Sequence, residues 1–512
     1  MTSLRKLLGL SRWSRAVLGL GMLATLITAC SLLLDTGRDQ CQSDSDCDFI
    51  SKQHTCQAGL CSDLGPRGCY AGTPNSMNPD ELQKQFKNQC SRATVVPFDN
   101  CVRLGMCGSA SSLPPTIMPV PITGTTPPQP GPAPMLECIG ANPVVVVGGS
   151  TAVQPFLSVV APLLAADTAP FTIIYQPSGS CNGVDGLFSP DPTKHMIKDI
   201  PNRPALLFHA DGSSEPCTFT APTQLDVAVS DVFASSCNSS YEVSDTLAEY
   251  LGPIQPMTFV VPATSSEKSI SAAMAHIVFG RGNTDMTDMP YLPYTDPTLY
   301  FVRNASSGTQ QMVSRAIDVD ARRWWGIDRG GSSAVRDQLE AVNPARASAA
   351  IGILSTDFAD PERQRLRIVA FQAKGQLCGY YPDSTLNTRD KINVRDGHYA
   401  IWGPVHFFAQ VNNGLPGPAA AALVTRFTRT RLDRTLLDAI IKSGLVPPCA
   451  MQVQRNSEMG PITAYQPPGA CGCYFEAKVP DGQAPASCRA CAGPADCPSL
   501  APACNNGFCE PQ

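Results

Sequence analysis

Apolar runs and helical patterns alternate through the middle of the chain. The clearest run is Val144–Val147, four β-branched residues without a charge, which is typical of a strand buried on both faces of a parallel sheet. Gly148 and Gly149 end the run, and the N-cap residues Ser150 and Thr151 precede apolar residues at helical spacing. This pattern predicts a strand, a tight turn and a helix whose N-terminus favours a small anion, although it also occurs in α/β proteins without a ligand there.

The same alternation continues to about residue 446. Strand-like segments lie at 171–176, 226–230, 257–263, 299–303, 349–354, 366–371 and 405–411, and helical patterns lie at 268–280, 308–317 and 418–432. Such alternation predicts βαβ units with parallel sheets. Because the region is long for a single sheet, we expect an α/β protein with two lobes.

The two ends of the chain are rich in cysteine instead of apolar patterns. Most of the 22 cysteines fall there, which predicts export to an oxidising compartment. We expect a cysteine-rich N-terminal module at 30–108, a Pro/Thr-rich linker at 109–137 and a cysteine-rich C-terminal module at 449–512. The net charge of only −5 provides no basic surface for nucleic acid.

A cysteine spacing recurs at the two ends. The first set has intervals of six, nine and five and comprises Cys41, Cys47, Cys56 and Cys61. The second has intervals of six, seven and five and comprises Cys491, Cys497, Cys504 and Cys509. The spacing predicts a repeated small module but leaves the connectivity open. Zinc binding is the competing interpretation, against which the predicted export argues.

Residues 1–29 predict a signal peptide, because a basic start is followed by an apolar run and small residues. The sequence Ile27-Thr28-Ala29-Cys30 resembles the lipobox of a bacterial lipoprotein signal peptide. This resemblance implies cleavage before Cys30, lipidation of its thiol and a membrane anchor in the bacterial cell envelope, on the periplasmic side or at the cell surface. Ordinary signal cleavage, with Cys30 in a disulfide, is the alternative.

Four predicted strand ends carry small polar residues in chain order. They read GST at 149–151, YQPSGSCNGV at 175–184, VSD at 229–231 and RNASSGT at 303–309. In this order they resemble the periplasmic phosphate-binding proteins of ABC transporters, whose turns read Gly-x-Gly-x-Thr, Tyr-Gln-x-x-Gly-Ser, Ala-Ser-Asp and Arg-x-Asp-Gly-Ser-Gly-Thr. The resemblance covers roughly residues 142–446.

This resemblance implies a class II periplasmic-binding-protein-like fold, an α/β fold with two hinged lobes. The lobes would be 142–255 plus 399–446 and 256–398, with phosphate or a similar oxyanion between them and an ABC permease as a candidate partner. The implied ligand-binding residues are Ser150, Thr151, Ser180, Asp231, Arg303, Ser307, Gly308 and Thr309.

The side chains of two of these residues suit the binding of an oxyanion, independently of the resemblance. The Arg303 guanidinium offers a planar fork of donors to two oxygens, and a surface ion pair is its other interpretation. An Asp231 carboxylate accepts a proton from phosphate, which keeps a P–OH near neutral pH, and repels sulfate, which keeps none. A helix N-cap is the other interpretation of Asp231.

The chain also departs from the family pattern. Ala305 stands where the family has an Asp that would orient Arg303. About fifty residues separate Ser180 from Asp231, far more than the family has, and we expect them to cap the cleft or add contacts. Cys217 or Cys237 is the expected disulfide partner of Cys181 in this region, and Cys378 is expected in a disulfide as well.

Neither metal-ligand spacing among the six histidines nor a nucleophile with a matching base stands out. We therefore predict neither an enzyme nor a metal or cofactor site. The leading hypothesis is a lipid-anchored extracytoplasmic solute-binding protein for ABC transport. The alternative is a cell-surface interaction or structural lipoprotein that keeps the fold without transport.

Overall fold

The computed structural model describes residues 55–57, 60–62, 68–106, 113–119, 136–140, 142–200, 203–282, 293–428 and 432–511, of which 55–62 are described for the backbone only. The chain forms two compact units, Met1–Ala71 and Gly72–Gln512. The predicted signal peptide, the predicted lipidation site Cys30 and most of the predicted linker lie outside the described residues.

The described β-strands are short, apart from two. They are β1 (Thr55–Gln57), β2 (Leu60–Ser62), β3 (Val95–Val96), β4 (Leu136–Glu137), β5 (Val144–Gly149), β6 (Thr172–Gln176), β7 (Met196–Ile197), β8 (Ala205–Phe208), β9 (Ser214–Thr218), β10 (Thr223–Gln224), β11 (Val227–Ser230), β12 (Leu247–Pro262), β13 (Ser269–Ser271), β14 (Tyr300–Val302), β15 (Ile327–Asp328), β16 (Ile351–Ser355), β17 (Leu366–Ile368), β18 (Ala370–Gln372), β19 (Gly379–Tyr380), β20 (Trp402–Asn412), β21 (Leu415–Pro416), β22 (Val453–Gln454), β23 (Thr463–Ala464), β24 (Ala503–Asn505) and β25 (Phe508–Glu510).

The described α-helices lie mostly between these strands. They are α1 (Pro79–Lys87), α2 (Asn100–Leu104), α3 (Gln154–Ala165), α4 (Ser180–Phe188), α5 (Ala234–Cys237), α6 (Ala272–Arg281), α7 (Gly308–Ile317), α8 (Ser332–Glu340), α9 (Thr356–Ala359), α10 (Ile392–Arg395), α11 (Pro418–Val424), α12 (Arg434–Lys442) and α13 (Gly472–Lys478). Of the helices described, none combines the length and apolar character that a membrane crossing needs.

One mixed sheet runs through both lobes. Its strand order is β15-β14-β16-β12-β20-β11-β5-β6-β8-β9-β4. In the first lobe β5 lies parallel to β11 and to β6, and in the second lobe β14 lies parallel to β15 and to β16. Since the carboxyl ends of parallel strands meet at one edge, each lobe gathers three loops at one edge of the sheet.

Two long antiparallel strands, β12 and β20, join the lobes. β12 pairs with β20 from Leu247 to Pro256 and with β16 from Met257 to Val260, so it passes from one lobe to the other between Pro256 and Met257. The two-lobed, class II periplasmic-binding-protein-like α/β fold class predicted from the sequence is confirmed. The predicted domain limits stay predictions.

Separate apolar cores lie under the two lobes. In the first lobe, Val145 and Val147 of β5 pack with Phe156 of α3 and with residues of α11 and α12. The core of the second lobe includes Phe86 and Phe98 from the N-terminal segment and others from the C-terminal segment. Both flanking segments are therefore part of the second lobe's packing, and burial of each large apolar side chain contributes roughly 1.5–3 kcal/mol.

The long segment between Ser180 and Asp231 extends the sheet. β8 pairs antiparallel with β6, and β9 pairs with β8 and with β4. The Cys138–Cys217 disulfide ties β4 to β9, and the Cys181–Cys237 disulfide is one of the two pairings expected for Cys181. Arg203, which precedes β8, is the part of this segment that reaches the candidate site.

The C-terminal segment is held by four disulfides, Cys449–Cys471, Cys473–Cys488, Cys491–Cys504 and Cys497–Cys509. Cys504 and Cys509 pair across the β24–β25 hairpin in the register that Cys56 and Cys61 have across the β1–β2 hairpin. The repeated spacing thus corresponds to a repeated hairpin. Three sulfurs, of Cys491, Cys497 and Cys509, lie within 4.8 Å of one another, but each sulfur is bonded in a disulfide, so the zinc interpretation is wrong for this cluster.

Cys378 carries a free thiol, and the expectation that it forms a disulfide was wrong. It is the single cysteine of the sequence between residues 256 and 398. Cys90 and Cys101, which come from the N-terminal segment of the same compact unit, are both disulfide-bonded. These two cysteines are therefore not available to Cys378.

Candidate functional site

The eight predicted ligand-binding residues come together in one buried cluster where the lobes meet. Each of these residues follows a strand that belongs to the set of parallel strands in its lobe. In the first lobe these residues are Ser150 and Thr151 after β5, Ser180 after β6 and Asp231 after β11; in the second they are Arg303, Ser307, Gly308 and Thr309 after β14. That these residues bind a ligand stays a prediction, but their convergence is a property of the protein alone.

Arg303 connects the two lobes. Its Nη2 atom donates a 2.8 Å hydrogen bond to Thr151 Oγ1, and its Nη1 atom donates a 3.1 Å bond to Ser332 Oγ. Nη2 and Nε also donate to the Gly330 carbonyl, at 3.1 and 3.3 Å. The Gly330 carbonyl therefore orients the guanidinium where the family pattern would use a carboxylate at the position of Ala305.

Asp231 is held by two serines of the same lobe. The Ser150 hydroxyl donates a hydrogen bond to Asp231 Oδ1, and the Asp231 backbone N–H donates to Ser180 Oγ at 3.2 Å. Burial raises the pKa of Asp231, while the Ser150 hydrogen bond and the Arg303 charge oppose that rise. Asp231 is thus a buried acceptor whose charge is supported by specific neighbours.

The N-terminus of α7 packs against this carboxylate because residue 308 is glycine. A Cβ atom at Gly308 would lie 2.4 Å from Ser180 Oγ and 2.7 Å from Asp231 Oδ2. Ser307 caps the helix by accepting from the Gln310 N–H at 3.4 Å. Thr309 Oγ1 is buried and has no hydrogen-bond partner among the described residues, so it is the hydroxyl most available to a ligand.

A second arginine, Arg203, lies beside the site. Arg203 donates to the backbone carbonyls of Pro177 and Ser178, at 3.2 and 3.4 Å, and its charge acts on Arg303. Burial lowers the pKa of Arg303 to about 10, and the Asp231 charge opposes the fall. Arg303 therefore stays cationic at neutral pH.

The structure adds a second carboxylate beside the predicted residues. Gln255 Nε2 donates to Asp357 Oδ1 and to the Ala152 carbonyl, each at 3.1 Å, so one amide links Asp357 to the turn that carries Thr151. Burial raises the pKa of Asp357 to about 7, and the Asp231 charge adds to the rise. The side chain is 1% exposed.

Sequence reasoning missed Ser332, Arg203 and Asp357 as members of this cluster. Ser332 follows β15, which has only two residues and gave no strand pattern. Arg203 lies in a segment without a counterpart in the family pattern. A signal existed for Asp357, because it comes three positions after the end of the predicted strand at 349–354, where the loops of a parallel sheet carry ligands.

The lobes also touch through the backbone. The Cys181 N–H of α4 donates to the Ser306 carbonyl at 2.9 Å, and Thr151 Oγ1 lies 3.2 Å from Ser332 Oγ. These contacts give the cluster a closed arrangement, in which donors of both lobes lie side by side.

No protein-family model and no curated protein matches this chain. Solved structures do match, over about three fifths of the chain. A putative phosphate ABC transporter substrate-binding protein with bound phosphate from Clostridium perfringens is 13% identical over 59% of this chain and 99% of its own, with a TM-score of 0.40. An ABC-type phosphate transport receptor from Vibrio cholerae is 14% identical over 59% and 100%, with a TM-score of 0.37.

The reduced form of the OxyR regulatory domain from Pseudomonas aeruginosa also matches, with 9% identity over 59% of this chain and 98% of its own and a TM-score of 0.30. These structures are too distantly similar for ligand-binding residues of this chain to be assigned from them. The fold described above rests on the strand order and pairing of this chain.

Proposed function

We propose that the protein binds phosphate, or a similar tetrahedral oxyanion, between its two lobes as an extracytoplasmic solute-binding protein. The observation that carries this proposal is the contact of Arg303 in one lobe with Thr151 in the other, beside the buried acceptor Asp231. A buried oxyanion needs several donors to replace its hydration, and this cluster supplies a guanidinium, hydroxyls and a helix N-terminus.

The residues have different roles in this proposal. Arg303 and Thr309 donate to oxygens that carry charge, and Thr151 donates from the opposite lobe. Asp231 accepts from a P–OH group, which sulfate lacks, so the acceptor gives selectivity for phosphate. Ser150 acts through Asp231, because its hydroxyl hydrogen is already directed at that carboxylate.

We further propose that Cys30 carries a lipid anchor and that an ABC permease receives the ligand. The apolar run before Ile27-Thr28-Ala29-Cys30 supports the anchor. Mass spectrometry of the N-terminal peptide from the native protein tests it, since an unmodified Cys30 at the mature N-terminus contradicts lipidation.

Calorimetric titration of the purified full-length protein with phosphate and with sulfate tests the binding proposal. We expect phosphate to bind and sulfate to bind far more weakly. Equal affinity for both anions contradicts the role given to Asp231, and no binding of phosphate contradicts the proposed function.

A second candidate, a surface interaction or structural protein, is favoured by the position of α13. Tyr474 donates a 2.5 Å hydrogen bond to Asp438 on α12 of the first lobe, and Glu476 lies 2.5 Å from Arg395 on α10 of the second. One short helix thus contacts both lobes, which would restrain their relative movement. Absence of binding to both anions, with the folded state intact by circular dichroism, favours this second candidate.

A further inference from the structure

The second lobe presents three strand ends to the site, and the third ends in an acidic residue. β14 leads to Arg303, β15 leads to Ser332 and β16 leads to Asp357, and the three strands are parallel. Because their carboxyl ends share one edge of the sheet, Asp357 belongs to the same ligand-facing edge as Arg303.

The Asp357 carboxylate is only half satisfied by the protein. Its Oδ1 atom accepts from Gln255, whereas Oδ2 is buried and accepts no hydrogen bond of ordinary geometry from the described residues. The Ser355 hydroxyl lies near the carboxylate and favours its charged form. A buried carboxylate oxygen without a donor is costly, and a donor on a bound ligand would satisfy Oδ2.

Charged groups surround Asp357 on all sides. Toward the site lie Asp231 after β11 and the Tyr175 hydroxyl of β6, and the charges of Asp231, Arg303, Arg203 and Asp357 all act on that hydroxyl. On the far side, a cavity of about 310 Å³ is lined by Asp357 together with Asp360, Arg389, Lys442 and Asp481.

Most of the far-side charges already have partners. Asp360 pairs with Arg363 and Lys391, and Arg389 contacts Asp481. Charged side chains also lie on α8 and β17, which pack against α9. Each of them contacts a group other than Asp357; they are Arg336, Asp337 and Glu340 of α8 and Arg367 of β17. Among these charges, that of Asp231 raises the pKa of Asp357.

We propose that Asp357 is a second ligand-facing carboxylate and that Asp231 and Asp357 together make the site specific for an oxyanion that carries two protons, H2PO4− in place of HPO4 2−. This inference rests on the proposed function. Each carboxylate accepts one P–OH, while Arg303 and the hydroxyls bind the two remaining oxygens. With the dianion, one of the two buried carboxylates would face unprotonated oxygen and repel it.

Binding of this kind takes up a defined number of protons. Above neutral pH the free anion is mostly HPO4 2− and free Asp357 is mostly ionised, so the complex must take up one proton when it forms. The count is the same whether that proton resides on the anion or on Asp357 in the complex. Affinity for phosphate must therefore fall roughly tenfold for each pH unit above neutrality.

Titration calorimetry with inorganic phosphate at about pH 7.5 and about pH 8.5, in buffers of different ionisation enthalpy, measures both the affinity and the protons taken up. For the wild-type protein we expect a roughly tenfold loss of affinity between the two pH values and uptake of about one proton. For Asp357→Asn we expect less than about a twofold change and almost no uptake, because the amide does not titrate and suits the dianion. Asp337→Asn, a change at an exposed position of α8, should keep the wild-type profile.

The outcomes separate the two proposals. A wild-type protein that binds phosphate equally at both pH values, without proton uptake, overturns this inference and leaves the proposed function standing, whether or not the variant folds. A steep wild-type profile that Asp357→Asn keeps overturns the assignment to Asp357. A wild-type protein that binds no phosphate overturns both.

Discussion

Ser150 and Asp231, 81 positions apart in the sequence, form one unit in which the serine hydroxyl donates to Asp231 Oδ1. The bond fixes the carboxylate beside Gly308, where a side chain would collide with Oδ2. Ser150 itself also accepts from the Ala152 N–H at 3.1 Å, so its one hydroxyl hydrogen and one of its lone pairs are used within the protein. The anion selectivity of the site therefore depends on an acceptor that the protein has already oriented.

Asp231→Asn tests that selectivity. The amide keeps the size of the carboxylate but removes its charge, so repulsion of sulfate disappears and the acceptor for P–OH weakens. We expect the ratio of phosphate to sulfate affinity to fall roughly tenfold to a hundredfold, since a hydrogen bond to a charged group contributes about 1.5–3 kcal/mol. Calorimetry with both anions measures the ratio. Asp245→Asn, at an exposed position, is the control, and an unchanged ratio in Asp231→Asn refutes the role of the carboxylate.

Arg303→Lys tests the guanidinium at constant charge. Lysine cannot reach Thr151, Ser332 and the Gly330 carbonyl together, because its ammonium lacks the planar fork of donors. Phosphate affinity should fall by a factor of about 10 to 100. The matched control is Arg322→Lys, whose side chain is 78% exposed. If both variants bind phosphate like the wild type, charge alone is what the site uses.

Asp357→Asn should change how stability depends on pH in the absence of phosphate. Burial raises the pKa of Asp357 to about 7, above its value in the unfolded chain, so the folded protein holds the proton more tightly. This contribution to stability is complete below the unfolded pKa near 4 and is lost as pH rises through about 7, amounting to about 4 kcal/mol.

Urea unfolding between about pH 5 and about pH 8 measures this effect. The wild-type protein should lose stability over that range by more than Asp357→Asn does. Asp337→Asn provides the reference for an exposed carboxylate. Parallel curves for the wild type and Asp357→Asn would show that the Asp357 proton does not contribute.

Lys391→Met tests the buried ion cluster of the second lobe. Lys391 Nζ lies 2.8 Å from both Asp360 Oδ2 and Asp383 Oδ1, and Arg363 pairs with the same two carboxylates. Removing one cation leaves a buried negative charge without compensation, so we expect a loss of about 3 to 5 kcal/mol in the free energy of unfolding.

The readout for Lys391→Met is denaturant unfolding near neutral pH, compared with Lys374→Met at an exposed position. A loss below about 1 kcal/mol, typical of exposed ion pairs, would show that the cluster contributes little net stability. The loss should shrink in acid, where protonation of Asp360 and Asp383 removes the uncompensated charge.

The strand ends of this fold were predictable where the apolar pattern was strong. Residues 308–317 form α7 at the predicted limits, and Arg303, the last residue of the strand predicted at 299–303, comes directly after β14. The first part of β12 was not predicted, because Gly252 and Pro253 interrupt its apolar pattern and a register shift accommodates them. The helix expected at 418–432 ends at Val424, and the residues at 268–280 begin as a strand before α6.

The candidate site was predictable to the extent that its residues lie in sequence beside strong strands. Ser332 could not be found that way, because it follows β15, a strand of only two residues. Arg203 could not be found either, because it precedes β8, whose pairing with β6 is visible only in the folded structure. The free thiol of Cys378 was not predicted either, because cysteine spacing does not show which cysteines are paired with each other.

Helix α13 holds Asp438 of the first lobe and Arg395 of the second on one rigid body of seven residues. A rotation about β12 and β20 that changed the separation of these two residues would break one of the contacts. Breaking them adds to the activation barrier for entry and release of any ligand. For the proposed anion we therefore expect the residence time to depend on the C-terminal segment, at a distance from the groups that determine which anion is chosen.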